Sequence, residues 1–147
     1  MSASVNTQPI STSIRIYPLR LTPNKDVLTS IRSLMNTAEL RSVFIMTCVG
    51  SVKSMVLRLA NTTDTIEIKR PHEIVSLVGT IDSEGHHIHG SFSDEKGHVV
   101  GGHVLGEHPM IVYTTVEIML AECENVTFVR EMCEESGYPE LVIKENL

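Results

Sequence analysis

The sequence predicts an α+β fold with a central, largely antiparallel β-sheet and one main N-terminal helix. Three observations carry that prediction. A single segment near the start repeats its apolar residues at helical spacing. Nearly everything after it falls into short β-branched or alternating runs. Turn residues separate those runs at hairpin distances, with no second helix to carry parallel crossovers.

In chain order, residues 1–12 (MSASVNTQPIST) are polar and uncharged, and they read as a flexible tail ahead of one domain at 13–147. They lack the basic start and apolar middle of a secretion signal and the arginines of a transit peptide. SIRIYPLRL alternates, so Ile14, Ile16 and Leu19 to Leu21 suggest an opening strand. Thr22-Pro23-Asn24 then offers a helix start, with an early proline beside a capping side chain. Val27, Leu28, Ile31, Leu34 and Met35 follow on one helical face, to about Asn36.

SVFIMTCV (42–49) is a continuous apolar run, as expected of a strand buried on both faces, and Gly50-Ser51 is expected to break it. VKSMVLRLA, TIEIKR, EIVSLVGTI, HHIHGSF, HVVGGHVL, MIVYTTVEIML, NVTFVREM and ELVIK follow as strands. They are divided by Asn61, Asp64, Gly85, Gly97, Gly106 and Gly137-Tyr138-Pro139. MLAECE (119–124) also reads as a short helix.

The totals narrow the function classes. At 147 residues, 41% hydrophobic and 20% charged, the chain suits one soluble globular domain. No run approaches the roughly 18 apolar residues of a membrane helix. Cys48, Cys123 and Cys133 are odd in number and contain no C-x-x-C pair, so free thiols in a reducing, cytoplasmic compartment are expected. Apolar surroundings argue against a catalytic thiol. The net charge of −6, dispersed basic residues and an acidic last third make this chain alone a poor partner for DNA.

Residues 85–108, GHHIHGSFSDEKGHVVGGHVLGEH, hold six of the seven histidines. Strand side chains alternate, so His87 and His89 share a face and His86 points opposite. If the hairpin pairs Asp94 with His98, His89 faces His103 directly, with Cβ atoms about 4.5–5.5 Å apart. A turn pairing Glu95 with His98 instead throws His103 onto the other face, unless Gly101-Gly102 carries a bulge that restores it. In the first register three imidazoles can share a divalent metal, Zn²⁺ first, with an open position of catalytic type. Such an ion would lower the pKa of its water toward about 7. No acid stands beside the cluster in sequence, so Glu73, Asp82 or Glu107 would have to arrive through the fold. The bland alternative is histidines that pack or hydrogen-bond at an edge or interface. No G-x-S-x-G elbow supports a serine triad. Gly101, Gly102 and Gly106 lack the strand-to-helix context of a phosphate loop and read as close backbone approach within a sheet.

HEIVSLVGTI (72–81), HIHGSFSDEKGHVVGGHVLGEH (87–108) and VYTTVEIML (112–120), in this order, resemble the plant and prokaryote conserved (PPC) domain family, catalogued as a domain of unknown function. GSVKSMVLRLA (50–60) and LRLTPNKDVLTSIRSLM (19–35) extend the resemblance to roughly 13–145. It implies a compact α+β fold that assembles as a homotrimer. It implies a metal-associated cluster at His87, His89 and His103, with Glu73 a candidate neighbour. Plant members carry an AT-hook and an R-F-E-I type segment; this chain has no AT-hook and has Pro71-His72-Glu73-Ile74 at the second place. It therefore looks like the stand-alone prokaryotic form, for which nuclear DNA binding is not implied.

Three functions follow as expectations: a trimeric module holding a divalent metal; a metal-dependent hydrolase or lyase acting on a small molecule; or a protein-interaction module linked to transcription. Catalytic residues stay unassigned.

Overall fold

The computed structural model describes residues 9–146. Most of the expected tail, residues 1–8, lies outside them. Among the described residues, nine strands and one helix run in the order β1 (Ile14–Leu21), α1 (Val27–Ala38), β2 (Val43–Arg58), β3 (Thr65–Ile68), β4 (His72–Ile81), β5 (His86–Ser93), β6 (Val99–Val104), β7 (Ile111–Cys123), β8 (Val126–Met132) and β9 (Pro139–Glu145). All named pairings are antiparallel.

β2 organises the sheet. Along one edge it takes β4 and then β3; along the other it takes β7 and then β6. β4 pairs with β5 and β5 with β6, so β6 returns to the end of β2 through Leu57↔Val104 and Arg58↔His103. The half of the sheet around the end of β2 is thus closed on itself, and β1 extends the open half beyond β7. Leu57, Leu77, Ile88, Phe92 and Val104 fill the inside of the closed part and are all buried. β8 and β9 form a separate hairpin.

Gly50 does not break β2. It takes φ +135° and sits where the pairing with β7 shifts register, so the chain bends and continues as one strand. The first half of β2 is also not covered on both faces. Val43 and Ile45 are buried, whereas Met46 and Val49 are 48% and 58% exposed. Nor does MLAECE form a helix: β7 runs through Cys123, held by β1 on one side and β2 on the other.

The helix begins two residues later than the Pro23-Asn24 reading places it. Asn24 adopts a left-handed φ of +71°, and Asp26 is the cap, its Oδ2 accepting from the Thr29 N–H. Oδ1 of Asp26 also accepts from the Met110 N–H at 2.9 Å, tying the helix start to the strand entering β7. Val27, Leu28, Ile31 and Met35 are buried, each contributing about 1.5–3 kcal/mol of transfer free energy. The helix ends at Glu39 in left-handed geometry, three residues beyond Asn36. Among the described residues no helix is long and apolar enough to cross a membrane.

Candidate metal centre

The β5–β6 connection settles the register that the sequence leaves open. The Asp94 N–H donates to the His98 carbonyl at 3.0 Å, and Oδ1 of Asp94 accepts from the Lys96 and His98 N–H groups. His89 therefore pairs with His103, Gly90 with Gly102 and Ser91 with Gly101, without a bulge. Ile88 and Phe92 point into the core, so His87 and His89 project from the outer face. Gly79 on β4 permits this packing: it has φ +148°, and a Cβ there would lie 1.9 Å from the His87 carbonyl oxygen. A Cβ on Gly102 would lie 2.6 Å from the Arg58 carbonyl oxygen. The glycines of β6 thus serve close strand approach, and His103 follows immediately.

His87, His89 and His103 each offer one ring nitrogen, and the three nitrogens lie within 4.8 Å of one another. The His87–His89 ring centroids are 4.9 Å apart and nearly perpendicular. Their Nε2 atoms are 3.2 Å apart. Two ligands held 2.0–2.1 Å from a tetrahedral Zn²⁺ would be about 3.3 Å apart, so this pair already matches one edge of such a site. Nδ1 of His103 is buried with no hydrogen-bond partner, so this ring carries a polar atom that the fold leaves unsatisfied. Burial, then the Arg58 charge and the neighbouring imidazoles, pushes His103 down to about 4. Burial, then His89, also lowers His87. Neutral imidazole is the form that ligates a metal, so the donor set fits a divalent ion.

The remaining histidines divide by environment. His86 places Nε2 3.2 Å from the Val104 carbonyl oxygen. His98 lies against Asp94 in the hairpin turn, with Nδ1 to Oδ2 3.4 Å. His72 is buried beside the Arg70 carbonyl, and His108 is exposed.

Glu73 does not join the cluster on this chain. It pairs with Ser93 at one end of the β4–β5 ladder, whereas His87 pairs with Thr80 toward the other, and it is exposed. Asp82 is completely buried and already engaged: its Oδ2 accepts from Arg130 Nε at 2.7 Å, and its Oδ1 accepts from the Glu84 and Gly85 N–H groups. Arg130 Nη2 also donates to Thr80 Oγ1 at 2.9 Å, and the Arg130 N–H donates to Glu84. This network fastens the β8–β9 hairpin against the histidine face.

Between that hairpin and the histidines lies a cavity of about 730 Å³, lined by His87 and His103 together with Arg58, Arg130, Tyr138 and Glu140. Glu107 lines a smaller depression beside His86 and His103. Arg58, Arg130, Tyr138 and Glu140 are not legible from sequence, because they come from elements remote from the histidines. In sequence, Gly137-Tyr138-Pro139 marks a turn but not what the turn leans on. The three cysteines are free; burial pushes Cys48 up to about 12, and none lines this cavity.

A family model described as the Plants and Prokaryotes Conserved domain matches residues 9–124. Among curated proteins, the chain is 34% identical over 145 residues to the bifunctional protein GlmU of a Synechococcus strain. The match takes in 98% of this chain but 23% of that protein, so the chain spans under a quarter of its relative's length. A hypothetical protein from Salmonella shares the fold at TM-score 0.89 and 34% identity, covering 94% of this chain and 99% of that one. A metal-containing protein from Archaeoglobus fulgidus gives TM-score 0.79 at 21% identity, with 92% and 99% coverage. More distant folds include a plant- and prokaryote-conserved protein from Pyrococcus horikoshii (TM-score 0.76, 23% identity, 96% and 99% coverage). A Bacteroides thetaiotaomicron protein described as a candidate DNA binder gives TM-score 0.73 at 18% identity, with 89% and 96% coverage.

Proposed function

The chain belongs to the Plants and Prokaryotes Conserved domain family, and within it we propose a trimeric binding module that holds a divalent metal, zinc first, at His87, His89 and His103. The carrying observation is three convergent ring nitrogens, on histidines of which His103 also keeps a buried Nδ1 without a partner. The metal-containing Archaeoglobus protein of the same fold supports the reading. Zinc bound by three imidazoles supplies Lewis acidity and a further coordination position. Removing divalent ions with a chelator and titrating Zn²⁺ back tests it by thermal unfolding. At 100 times Kd, free zinc should stabilise the protein by about 2.7 kcal/mol. No change in unfolding temperature would defeat the reading.

The homotrimer is proposed on the exposed apolar side chains of neighbouring strands. Ile16 on β1, Met119 on β7, and Met46 and Val49 on β2 are 45%, 37%, 48% and 58% exposed. Sedimentation returning a monomer at micromolar concentration would remove it. A second functional reading, a metal-dependent hydrolase or lyase, rests on the cavity beside the histidines, whose volume suits a metabolite. Turnover abolished by His103→Ala with the assembly intact would promote it.

The Synechococcus relative, in which the matched segment is 23% of a protein named bifunctional protein GlmU, favours work beside an enzyme over a transcriptional interaction. DNA binding by this chain alone is not proposed, since a net charge of −6 opposes phosphate contact. A gel shift at physiological salt would overturn that. The free thiols fit a reducing, cytoplasmic setting.

A further inference from the structure

A single row of cross-strand partners crosses the outer face of the closed half-sheet: Val78↔His89, His89↔His103, His103↔Arg58. Directly paired residues project to the same side of a sheet. Arg58 therefore stands beside the histidine cluster by the same register that assembles it, and β2 carries it there from far away in sequence. Its proximity shows in the electrostatics, since the Arg58 charge follows burial as a cause of the depressed His103 pKa.

The two arginines of the cavity have different employment. The Arg130 side chain is 10% exposed and its guanidinium is spent on Asp82 and Thr80. Among the described residues no carboxylate pairs with Arg58. Its guanidinium carbon lies over the Tyr138 ring, 5.9 Å from the centroid, which orients the group without neutralising it. Arg130 is matched by the Asp82 carboxylate behind it, so the fixed charges at the cavity are Arg58 against Glu84 and Glu140, one negative charge in excess. A divalent ion on the histidines would turn that into one positive charge in excess, next to an arginine whose fork of donors is free.

We infer that the cavity takes a small oxyanionic metabolite, a carboxylate or phosphate, with its acid group held by Arg58 and a second oxygen directed at the metal on His87, His89 and His103. This rests on the metal reading proposed above and adds the class of ligand. Planar carboxylates and phosphates both match the guanidinium fork. The cavity volume of about 730 Å³ accommodates a body much larger than the acid group. Because the fixed charges are negative in sum without the ion, anion binding should require the metal.

The test uses the full chain loaded with Co²⁺, whose visible absorption reports changes at the metal, with malonate and inorganic phosphate as the two probes. Metal content is measured first. In wild type, one or both probes should perturb the cobalt spectrum and bind saturably by calorimetry; which one does so separates carboxylate from phosphate recognition. Arg58→Gln should keep the metal and weaken binding at least tenfold, Arg58→Lys should recover part of the loss, and metal-free wild type should bind neither. A wild type that holds cobalt but binds neither probe overturns this inference and leaves the metal site standing. Equal binding by Arg58→Gln, or loss of metal from it, also overturns it, because Arg58 would then hold no ligand or would support the cluster instead. A wild type that holds no metal defeats the metal reading and this inference with it.

Discussion

Replacing Asp82 with alanine should cost more than any single change on the surface of the site. The Asp82 carboxylate is completely buried and accepts three hydrogen bonds, from Arg130 Nε at 2.7 Å and from the Glu84 and Gly85 N–H groups at 2.9 and 2.8 Å. Asp82→Ala leaves a guanidinium that is 10% exposed without its counter-charge, and strips two turn amides of their acceptor. Breaking a buried pair from one side costs about 3–5 kcal/mol. The amides add less than their full desolvation penalty, since the turn can open toward water. On the scale of domain stability the total is large, and for a chain of this size it lowers the unfolding temperature by roughly 6–20 °C. Urea unfolding followed by circular dichroism measures the loss, and amide exchange over β8 and β9 reports release of the hairpin. Adding Arg130→Met to Asp82→Ala should recover at least half of the cost, because the stranded charge is then gone. An Asp82→Ala protein within about 1 kcal/mol of wild type, with unchanged exchange in β8–β9, would refute the view that this network fastens the hairpin over the histidines.

Three further outcomes follow. In metal-free protein, His103 titrates near 4 when folded and near its ordinary 6.5 when unfolded; the unfolded chain binds the extra proton between these values, so stability is unaffected above about 6.5 and falls as pH drops toward 4. Urea midpoints should therefore decline more steeply from pH 7 to 5 in wild type than in His103→Gln, and parallel declines would contradict the burial of that imidazole. Gly102→Ala places a Cβ 2.6 Å from the Arg58 carbonyl oxygen and should destabilise by about 1–3 kcal/mol while weakening metal retention, since β2 and β6 must separate. Glu73→Gln should leave metal affinity within twofold of wild type; a tenfold loss by zinc titration would mean that Glu73 reaches the cluster by a route other than the β4–β5 ladder.

Local periodicity carries much of this fold. Alternation in HHIHGSF separates His86 from His87 and His89, and the structure keeps that division. Alternation alone leaves the hairpin register open between two pairings, and it is the Asp94 side chain, collecting the N–H groups of Lys96 and His98, that fixes the turn. Gly50 shows the limit: a glycine that ends a strand and one that bends it through a bulge have the same sequence signature. Asn24 and Asp26 both have capping side chains, and only the left-handed φ of Asn24 assigns the cap to Asp26. The acids and arginines around the cavity left no trace in sequence for a different reason. Arg58 arrives through closure of β6 onto β2, and Arg130 through docking of a hairpin more than 40 residues downstream of Asp82. Periodicity within an element cannot report which elements meet. The exposed Met46 and Val49 carry the same lesson inverted, since an apolar run reports a need for cover without saying what supplies it.

The central claim is the three-histidine metal centre, and the most direct measurement is metal content by mass spectrometry. Protein purified without a histidine tag should be compared with His87→Ala and His103→Ala. One equivalent of zinc or another divalent metal in wild type, lost from both folded variants, is the predicted result. A metal-free wild type that also fails to take up Zn²⁺ would make the three histidines packing residues and contradict the account.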